Sequence, residues 1–176
     1  MSDYWSLTSA ALHGQPWRLW TGHIVHFGPS SFFPESLAMV PPLMLLHPKH
    51  RMRTIVWGLV IAPLISLAIL ASVPNAEFRG SSALAVTIWI LAPLLYFNHH
   101  PYSDRRVPPA PAYVFLTFCG VKLIVETFSS FGTPTLAHWL GVVAAAMTFI
   151  FLRAKIVHTA IRQFSESRSA LSERVC

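Results

Sequence analysis

The sequence predicts an all-α membrane protein that crosses the bilayer several times, and both its composition and its apolar runs indicate this class. Hydrophobic residues make up 53% of the 176 positions and charged residues only 11%, whereas about a quarter of a soluble domain is charged. The mean hydropathy is +0.51. Residues 1–20 lack a basic start followed by a continuous apolar core, so we expect no cleavable signal peptide.

Five apolar segments come near the roughly 20 residues that a spanning helix needs, and each is predicted to form one. They are residues 26–46, 54–73, 82–97, 111–128 and 135–152. Prolines inside these segments predict kinks, which membrane helices tolerate. The predicted organisation is an interfacial N-terminal segment (1–25), a transmembrane domain (26–152) and a cytoplasmic tail (153–176).

The loops between these segments predict the orientation of the chain. Basic residues give a formal net charge of +6, and they concentrate in "HPKHRMR" (47–53), "NHHPYSDRRVPP" (98–109) and the tail. The loops "PNAEFRGS" (74–81) and "SSFGTPT" (129–135) contain one basic residue, Arg79. Basic loops mark the cytoplasmic side of a membrane protein. We therefore expect a multi-pass protein of the bacterial inner (cytoplasmic) membrane with a cytoplasmic C-terminus, and no binding of nucleic acid.

This topology puts Ser82 and His138 at the periplasmic ends of the third and fifth segments. A serine hydroxyl becomes a good nucleophile when a histidine takes its proton, so the two residues are candidate catalytic partners. The structural alternative is that Ser82 caps a helix and His138 is a satisfied polar residue between helices. Ser81 competes as nucleophile, but neighbouring helical residues point about 100° apart, so only one serine can face His138.

Two short motifs around these residues resemble those of the rhomboid intramembrane serine proteases. The first is Gly80-Ser81-Ser82-Ala83, which is similar to a GxSG motif. The second is Ala137-His138-Trp139-Leu140-Gly141 followed by Ala145, which is similar to an AHxxGxxxG motif. Small residues at this spacing let two helix backbones approach closely. With "WRLWTGHIVHFG" (17–28), which is similar to the segment before the second rhomboid helix, the chain looks most like the bacterial rhombosortases.

The resemblance implies a rhomboid-like helical bundle and a serine endopeptidase that cleaves membrane-anchored proteins near the periplasmic face. It implies Ser82 and His138 as a catalytic dyad, with Gly80 and Gly141 as supporting motif residues. It also implies substrates that carry glycine-rich C-terminal sorting tails, and no cofactor. Rhomboid cores have six spanning helices, so with about five segments the first one is expected to be missing here.

Two departures from the family pattern bear on activity. The family's oxyanion-binding histidine and asparagine match Ser31 and Glu35 of this chain. Loss of one oxyanion donor costs about 100- to 1,000-fold in rate, and Glu35 donates a hydrogen bond only when it is protonated. Ala83 also replaces the last glycine of the serine motif. The alternative function is therefore a catalytically inactive rhomboid-like protein that binds membrane partners.

Other polar residues of the segments also have two interpretations. Lys122 and Glu126 lie four residues apart on one helix face, and we expect an internal ion pair that fixes helix packing. The nine histidines raise the alternative of a haem or metal site, with His23, His26 and His138 near one face of the membrane. No cysteine and histidine spacing fits a zinc site, and no deep histidine pairs with His138 across the bundle. We therefore predict no metal and no cofactor.

Overall fold

The computed structural model describes residues 5–8, 13–26, 29–73, 77–99, 110–129, 132 and 134–154, and this part of the chain is mainly helical. Its helices are α1 (Arg18–Thr21), α2 (Pro29–Ala38), α3 (Val40–Met44), α4 (Pro48–Ser72), α5 (Ser82–His99), α6 (Ala110–Ser129) and α7 (Pro134–Ala154). The described residues contain no strand beyond an isolated bridge between Leu7 and Phe78. The predicted all-α class is confirmed. Most of the predicted tail, from residue 155 onward, lies outside the described residues.

Three of the described helices are long and apolar enough to cross a membrane: Pro48–Ser72, Ala110–Ser129 and Pro134–Ala154. Helix α5 is also apolar but shorter. These four helices correspond to the second, third, fourth and fifth predicted segments. Pro63 and Pro93 lie inside α4 and α5 without ending either helix. The architecture is therefore compatible with a membrane protein.

The first predicted segment, 26–46, differs from expectation because it forms two short helices instead of one long helix. Helix α2 has 10 residues and α3 has five, and the chain turns at Met39 between them. Pro42 lies near the start of α3 and has no N–H to donate to the Ala38 carbonyl, which an unbroken helix would require. The indole N–H of Trp89 donates to that carbonyl instead, at 2.8 Å.

Helix α5 is the centre of the bundle, since α2, α3, α4 and α6 all pack against it. One group of buried apolar side chains lies near its Ser82 end and includes Ile65, Ile69, Ala83 and Ala137. A second group lies near its other end and includes Leu91, Leu95, Tyr96, Ala112, Ala145 and Leu152. Large apolar side chains on α4, α6 and α7 stay exposed, among them Leu64, Phe118, Phe128 and Met147. Such surfaces suit contact with lipid chains.

A close helix contact joins α5 to α7 at Gly141. A Cβ atom added to Gly141 would lie 2.4 Å from the Ala83 carbonyl oxygen, so no side chain fits there. The Thr87 hydroxyl lies 2.9 Å from the Ala83 carbonyl oxygen and 3.1 Å from that of Gly141. The close approach that the small residues predict is confirmed, and it holds the first turn of α5 against the first turns of α7.

The loop before α5 is fixed by the N-terminal part of the chain. Leu7 and Phe78 exchange two backbone hydrogen bonds of 3.1 and 3.0 Å, and the Gly80 N–H donates to the Gly22 carbonyl at 2.9 Å. The Leu7 side chain is fully buried in the apolar group near Ser82. The N-terminal segment therefore contributes to the core as well as to the surface where Trp5 is exposed.

The α5–α7 contact predicts the effect of adding one methyl group. We expect Gly141→Ala to lower the free energy of unfolding by about 1–3 kcal/mol, because the new Cβ overlaps the Ala83 carbonyl and the helices must separate. The matched control is Gly120→Ala on α6, where an added Cβ meets no atom within 4 Å. Unfolding in mixed micelles of mild detergent and sodium dodecyl sulfate measures both. Equal effects of the two changes would contradict the tight contact.

Candidate active site

Ser82 and His138 line one pocket of about 210 Å³. Ser82 is the first residue of α5, and His138 lies in the second turn of α7. The other lining residues are mainly apolar: Pro34, Ala38, Ala85, Val86, Trp89, Phe118 and Cys119, with Glu35 and Lys122 as charged exceptions. The structure thus brings the two predicted catalytic residues to the same small space, although no hydrogen bond joins them among the described residues.

The separation of the two residues depends on the contact at Gly141. Gly141 follows His138 by almost one helical turn, and its backbone meets Ala83, the neighbour of Ser82. A bulkier residue at either position would move α7 away from α5. Gly141 therefore supports the site through backbone distance, as its motif position implies.

His138 is almost fully buried, with 5% of its surface exposed. Its Nδ1 atom lies 2.5 Å from Oε2 of Glu126. Its Nε2 atom is buried and has no hydrogen-bond partner in the described part of the chain. One ring nitrogen thus contacts a carboxylate, while the other has no partner among the described residues.

Ser81 precedes α5 and caps it. Its carbonyl accepts the Ala85 N–H at 2.8 Å, and its own N–H donates to Oε2 of Glu35 at 2.9 Å. Its hydroxyl donates to the same carboxylate oxygen at 3.1 Å and lies 3.2 Å from Nε2 of His26. The Ser81 hydroxyl is therefore engaged in fixing the helix start, and Ser82 is the serine next to it that lines the pocket.

Glu35 is the acceptor at the centre of this cap. Besides the two groups of Ser81, it contacts Nε2 of His26 at 3.1 Å. A carboxylate at a helix N-terminus satisfies free N–H groups and interacts favourably with the helix dipole. Gly80 allows the approach, because its φ of +122° suits glycine and an added Cβ would lie 3.3 Å from the Glu35 carboxylate.

Of the two side chains predicted to bind the oxyanion, the structure describes that of Glu35 but not that of Ser31. Ser31 belongs to α2, but its side chain lies outside the described residues. Glu35 lines the pocket as a hydrogen-bond acceptor for Ser81, and it donates only when protonated. The N–H groups in the first turn of a helix have no partner within the helix. In α5 these are the N–H groups that follow Ser81. They are the backbone donors closest in sequence to the Ser82 hydroxyl.

Sequence reasoning missed two partners in this site. Glu126 is paired with Lys122, as predicted, but its second carboxylate oxygen also reaches His138. His26 was considered as a metal or haem ligand, and it packs instead against Glu35 and Ser81. Glu126 lies shortly before the end of α6 and His138 shortly after the start of α7. Four residues, 130–133, separate the two helices in sequence, and this short separation is the signal that both groups lie at one depth.

His23 has a structural role within the bundle. Its Nε2 atom lies 3.0 Å from both the Ala62 carbonyl and the Ser66 hydroxyl, so the nitrogen that would bind a metal is already used. Burial lowers the pKa of His23 to about 4, since its Nδ1 atom is buried without a partner among the described residues. No group of three or more histidine, cysteine or acidic residues in the described ranges could hold a metal ion.

The described site combines a serine at a helix N-terminus with a histidine whose far nitrogen contacts a carboxylate. These are the groups from which serine hydrolases build a nucleophile and a general base. Comparisons with protein-family models, with curated proteins and with solved structures find no match for this chain.

The cap at Ser81 predicts the effect of removing Glu35. We expect Glu35→Ala to lower the free energy of unfolding by about 1–3 kcal/mol, because the N–H and hydroxyl of Ser81 lose their acceptor in buried surroundings. The control is Glu77→Ala, which removes a half-exposed carboxylate that pairs with the largely buried side chain of Arg79. Because Glu77 pairs with a side chain and not with the start of a helix, we expect a smaller loss of stability than for Glu35→Ala. Detergent unfolding curves compare them. A Glu35→Ala effect no larger than that of Glu77→Ala would exclude a capping role.

The buried position of His23 predicts a loss of stability in acid. The unfolded chain has the ordinary pKa of 6.5 and the folded protein about 4, so the unfolded state binds the proton first as the pH falls. Above about pH 6.5, His23 does not make the free energy of unfolding depend on pH. As the pH falls from about 6.5 to about 4, the free energy of unfolding decreases by on the order of 3 kcal/mol.

Melting temperatures in detergent from about pH 7.5 to about pH 4.5 measure this loss. The control is His23→Gln, whose amide N–H can still donate to Ala62 and Ser66 but does not titrate. The wild type should lose more stability than the variant over this range. Parallel pH curves for the two proteins would show that His23 does not cause the acid sensitivity.

Proposed function

We propose that this chain is a rhomboid-like intramembrane serine protease, most similar to rhombosortases, with Ser82 as nucleophile and His138 as general base. The observation that carries the proposal is that Ser82 and His138 line one pocket while Nε2 of His138 has no partner among the described residues. The motifs around both residues support the same assignment. The proposal includes the orientation predicted by the basic loops, with the site toward the periplasm of a bacterial inner membrane.

The chemistry begins when His138 accepts the hydroxyl proton of Ser82 at Nε2 as Oγ attacks the carbonyl carbon of a peptide bond. N–H groups of the first turn of α5 and the positive end of that helix stabilise the negative oxygen of the tetrahedral intermediate. His138 then delivers the proton to the leaving amine, and the acyl-enzyme remains on Ser82. Water, with its proton taken by His138, hydrolyses this ester and regenerates the serine.

The proposed substrates are membrane-anchored proteins with one spanning helix and a glycine-rich tail at the C-terminus. A peptide bond must leave its helix before a serine can attack it, and glycine weakens a helix by roughly 1 kcal/mol per residue relative to alanine. Glycine also lacks a side chain that would collide with the small pocket. A glycine-rich segment at the membrane surface therefore suits a site built at helix ends.

The second candidate function is a catalytically inactive rhomboid-like protein that binds membrane partners. The observation in its favour is the position of Glu35, whose carboxylate lines the pocket and already occupies the Ser81 N–H. A fixed negative charge close to Ser82 opposes the formation of an oxyanion there. The same fold and the same membrane topology serve both functions, so reactivity distinguishes them.

Labelling with a fluorophosphonate probe tests the protease proposal. Ser82 Oγ should bond to phosphorus with loss of fluoride, while the hydroxyl proton leaves through His138. We expect labelling of the detergent-purified wild type, loss of at least about 100-fold in Ser82→Ala and His138→Ala, and retained labelling in Ser81→Ala.

Thermal unfolding of every variant provides the control for folding. A folded wild type that resists the probe would contradict the protease proposal and favour the binding function. Labelling that depends on Ser81 and survives Ser82→Ala would contradict the choice of nucleophile.

A further inference from the structure

Glu126 contacts the side of His138 that faces away from the free ring nitrogen. Its Oε2 atom lies 2.5 Å from Nδ1 of His138, and the two residues come from consecutive helices, α6 and α7. The His138 side chain is buried, whereas the Glu126 side chain is about one-third exposed. A carboxylate in partial contact with water thus reaches a buried imidazole.

The short distance fixes the position of the proton. A lone pair on Nδ1 and a carboxylate oxygen repel each other at this separation, so a hydrogen atom must lie between them. Glu126 already accepts from Lys122 through Oε1, and with Oε2 accepting in the same way a neutral His138 carries its proton on Nδ1 and a lone pair on Nε2. Nε2 is the atom that lacks a partner in the described residues, and His138 shares its pocket with Ser82.

Lys122 is the competing neighbour of the same ring. Its Nζ atom lies 3.4 Å from Nδ1 of His138, and an ammonium group only donates hydrogen bonds. A bond from Lys122 to Nδ1 would force the proton onto Nε2, which would prevent His138 from acting as a base. However, Lys122 is bonded to Oε1 of Glu126, and the carboxylate contact to His138 is the shorter one. Lys122 thus holds the carboxylate in place.

We infer that Glu126 is a positioning residue for the Ser82–His138 pair. It holds the His138 ring as the Nδ1–H tautomer, which leaves the lone pair on Nε2, and its charge stabilises the imidazolium that forms when His138 takes a proton. The catalytic part of this inference rests on the proposed function. The charged groups that face His138 are Glu126 and Lys122 from α6 and, across the pocket, Glu35 from α2.

The simpler role for Glu126 is the helix-packing ion pair with Lys122. The two roles make different demands on the two partners. If the pair only fixes packing, removal of either charge breaks it, and the two losses have similar effects. If Glu126 orients His138, removal of the carboxylate changes reactivity far more than removal of the ammonium group does.

The first experiment measures the rate of fluorophosphonate labelling in Glu126→Gln and Lys122→Gln. A glutamine amide can donate to Nδ1 and so favours the wrong tautomer, and it stabilises no positive charge. We expect the maximal labelling rate of Glu126→Gln to fall about 100-fold with little change in the half-saturating probe concentration. The fold-loss of labelling rate in Lys122→Gln should be at least ten times smaller than that in Glu126→Gln. Glu77→Gln, far from the pair, serves as the neutral control.

The second experiment reads the tautomer without relying on Ser82. Nitrogen-15 NMR of the histidine-labelled protein in detergent, at a pH where the ring is neutral, distinguishes a protonated from an unprotonated ring nitrogen. The His138 signals are assigned by their loss in His138→Gln. We expect Nδ1–H in the wild type and a shift toward Nε2–H in Glu126→Gln.

The possible results separate the two proposals. An Nε2–H tautomer in the wild type, or equal rate losses in Glu126→Gln and Lys122→Gln, would overturn the role of Glu126. A wild type that is not labelled would overturn the proposed protease and with it the catalytic part of the inference. The NMR result would then decide alone whether Glu126 orients the ring. Nδ1–H together with a selective rate loss in Glu126→Gln supports both proposals.

Discussion

The close contact between α5 and α7 is the constraint on which the rest of the site depends. Gly141 leaves no room for a side chain against the Ala83 carbonyl, and Thr87 bridges the same two backbones. In a membrane, helices gain little from excluding water, so backbone proximity and shared hydrogen bonds hold them together. This contact brings the start of α5 beside the second turn of α7. Ser82 and His138 face one pocket because these two backbones touch.

The polar groups of the bundle follow the rule that burial requires a partner. Glu35 accepts hydrogen bonds from the N–H and hydroxyl of Ser81, and Glu126 pairs with both His138 and Lys122. Two buried ring nitrogens among the described residues lack a partner, Nδ1 of His23 and Nε2 of His138. The first belongs to a histidine that burial keeps neutral. The second belongs to His138, which lines the pocket with Ser82.

Local sequence patterns predict much of this architecture and little of its hydrogen bonding. Helices α4 to α7 are predictable because each contains its own long apolar run. The prolines of the first segment predict a kink there, but the complete break at Met39 does not follow from hydropathy. Hydropathy takes no account of the Ala38 carbonyl, which loses a donor to Pro42 and gains the indole N–H of Trp89. The Lys122–Glu126 pair follows from spacing on one helix. Its extension to His138 crosses a turn between two helices, and a spacing rule within one helix cannot find it.

The proposed activity depends on one claim, that Ser82 is activated by His138 in a pocket at the ends of α5 and α7. Peptide mapping by mass spectrometry after fluorophosphonate treatment tests this claim most directly, because it identifies the residue that carries the adduct. The account predicts a single adduct on the peptide that contains Ser82, located on Ser82 itself and absent from His138→Ala. An adduct on Ser81, or a folded protein with no adduct at all, would contradict it.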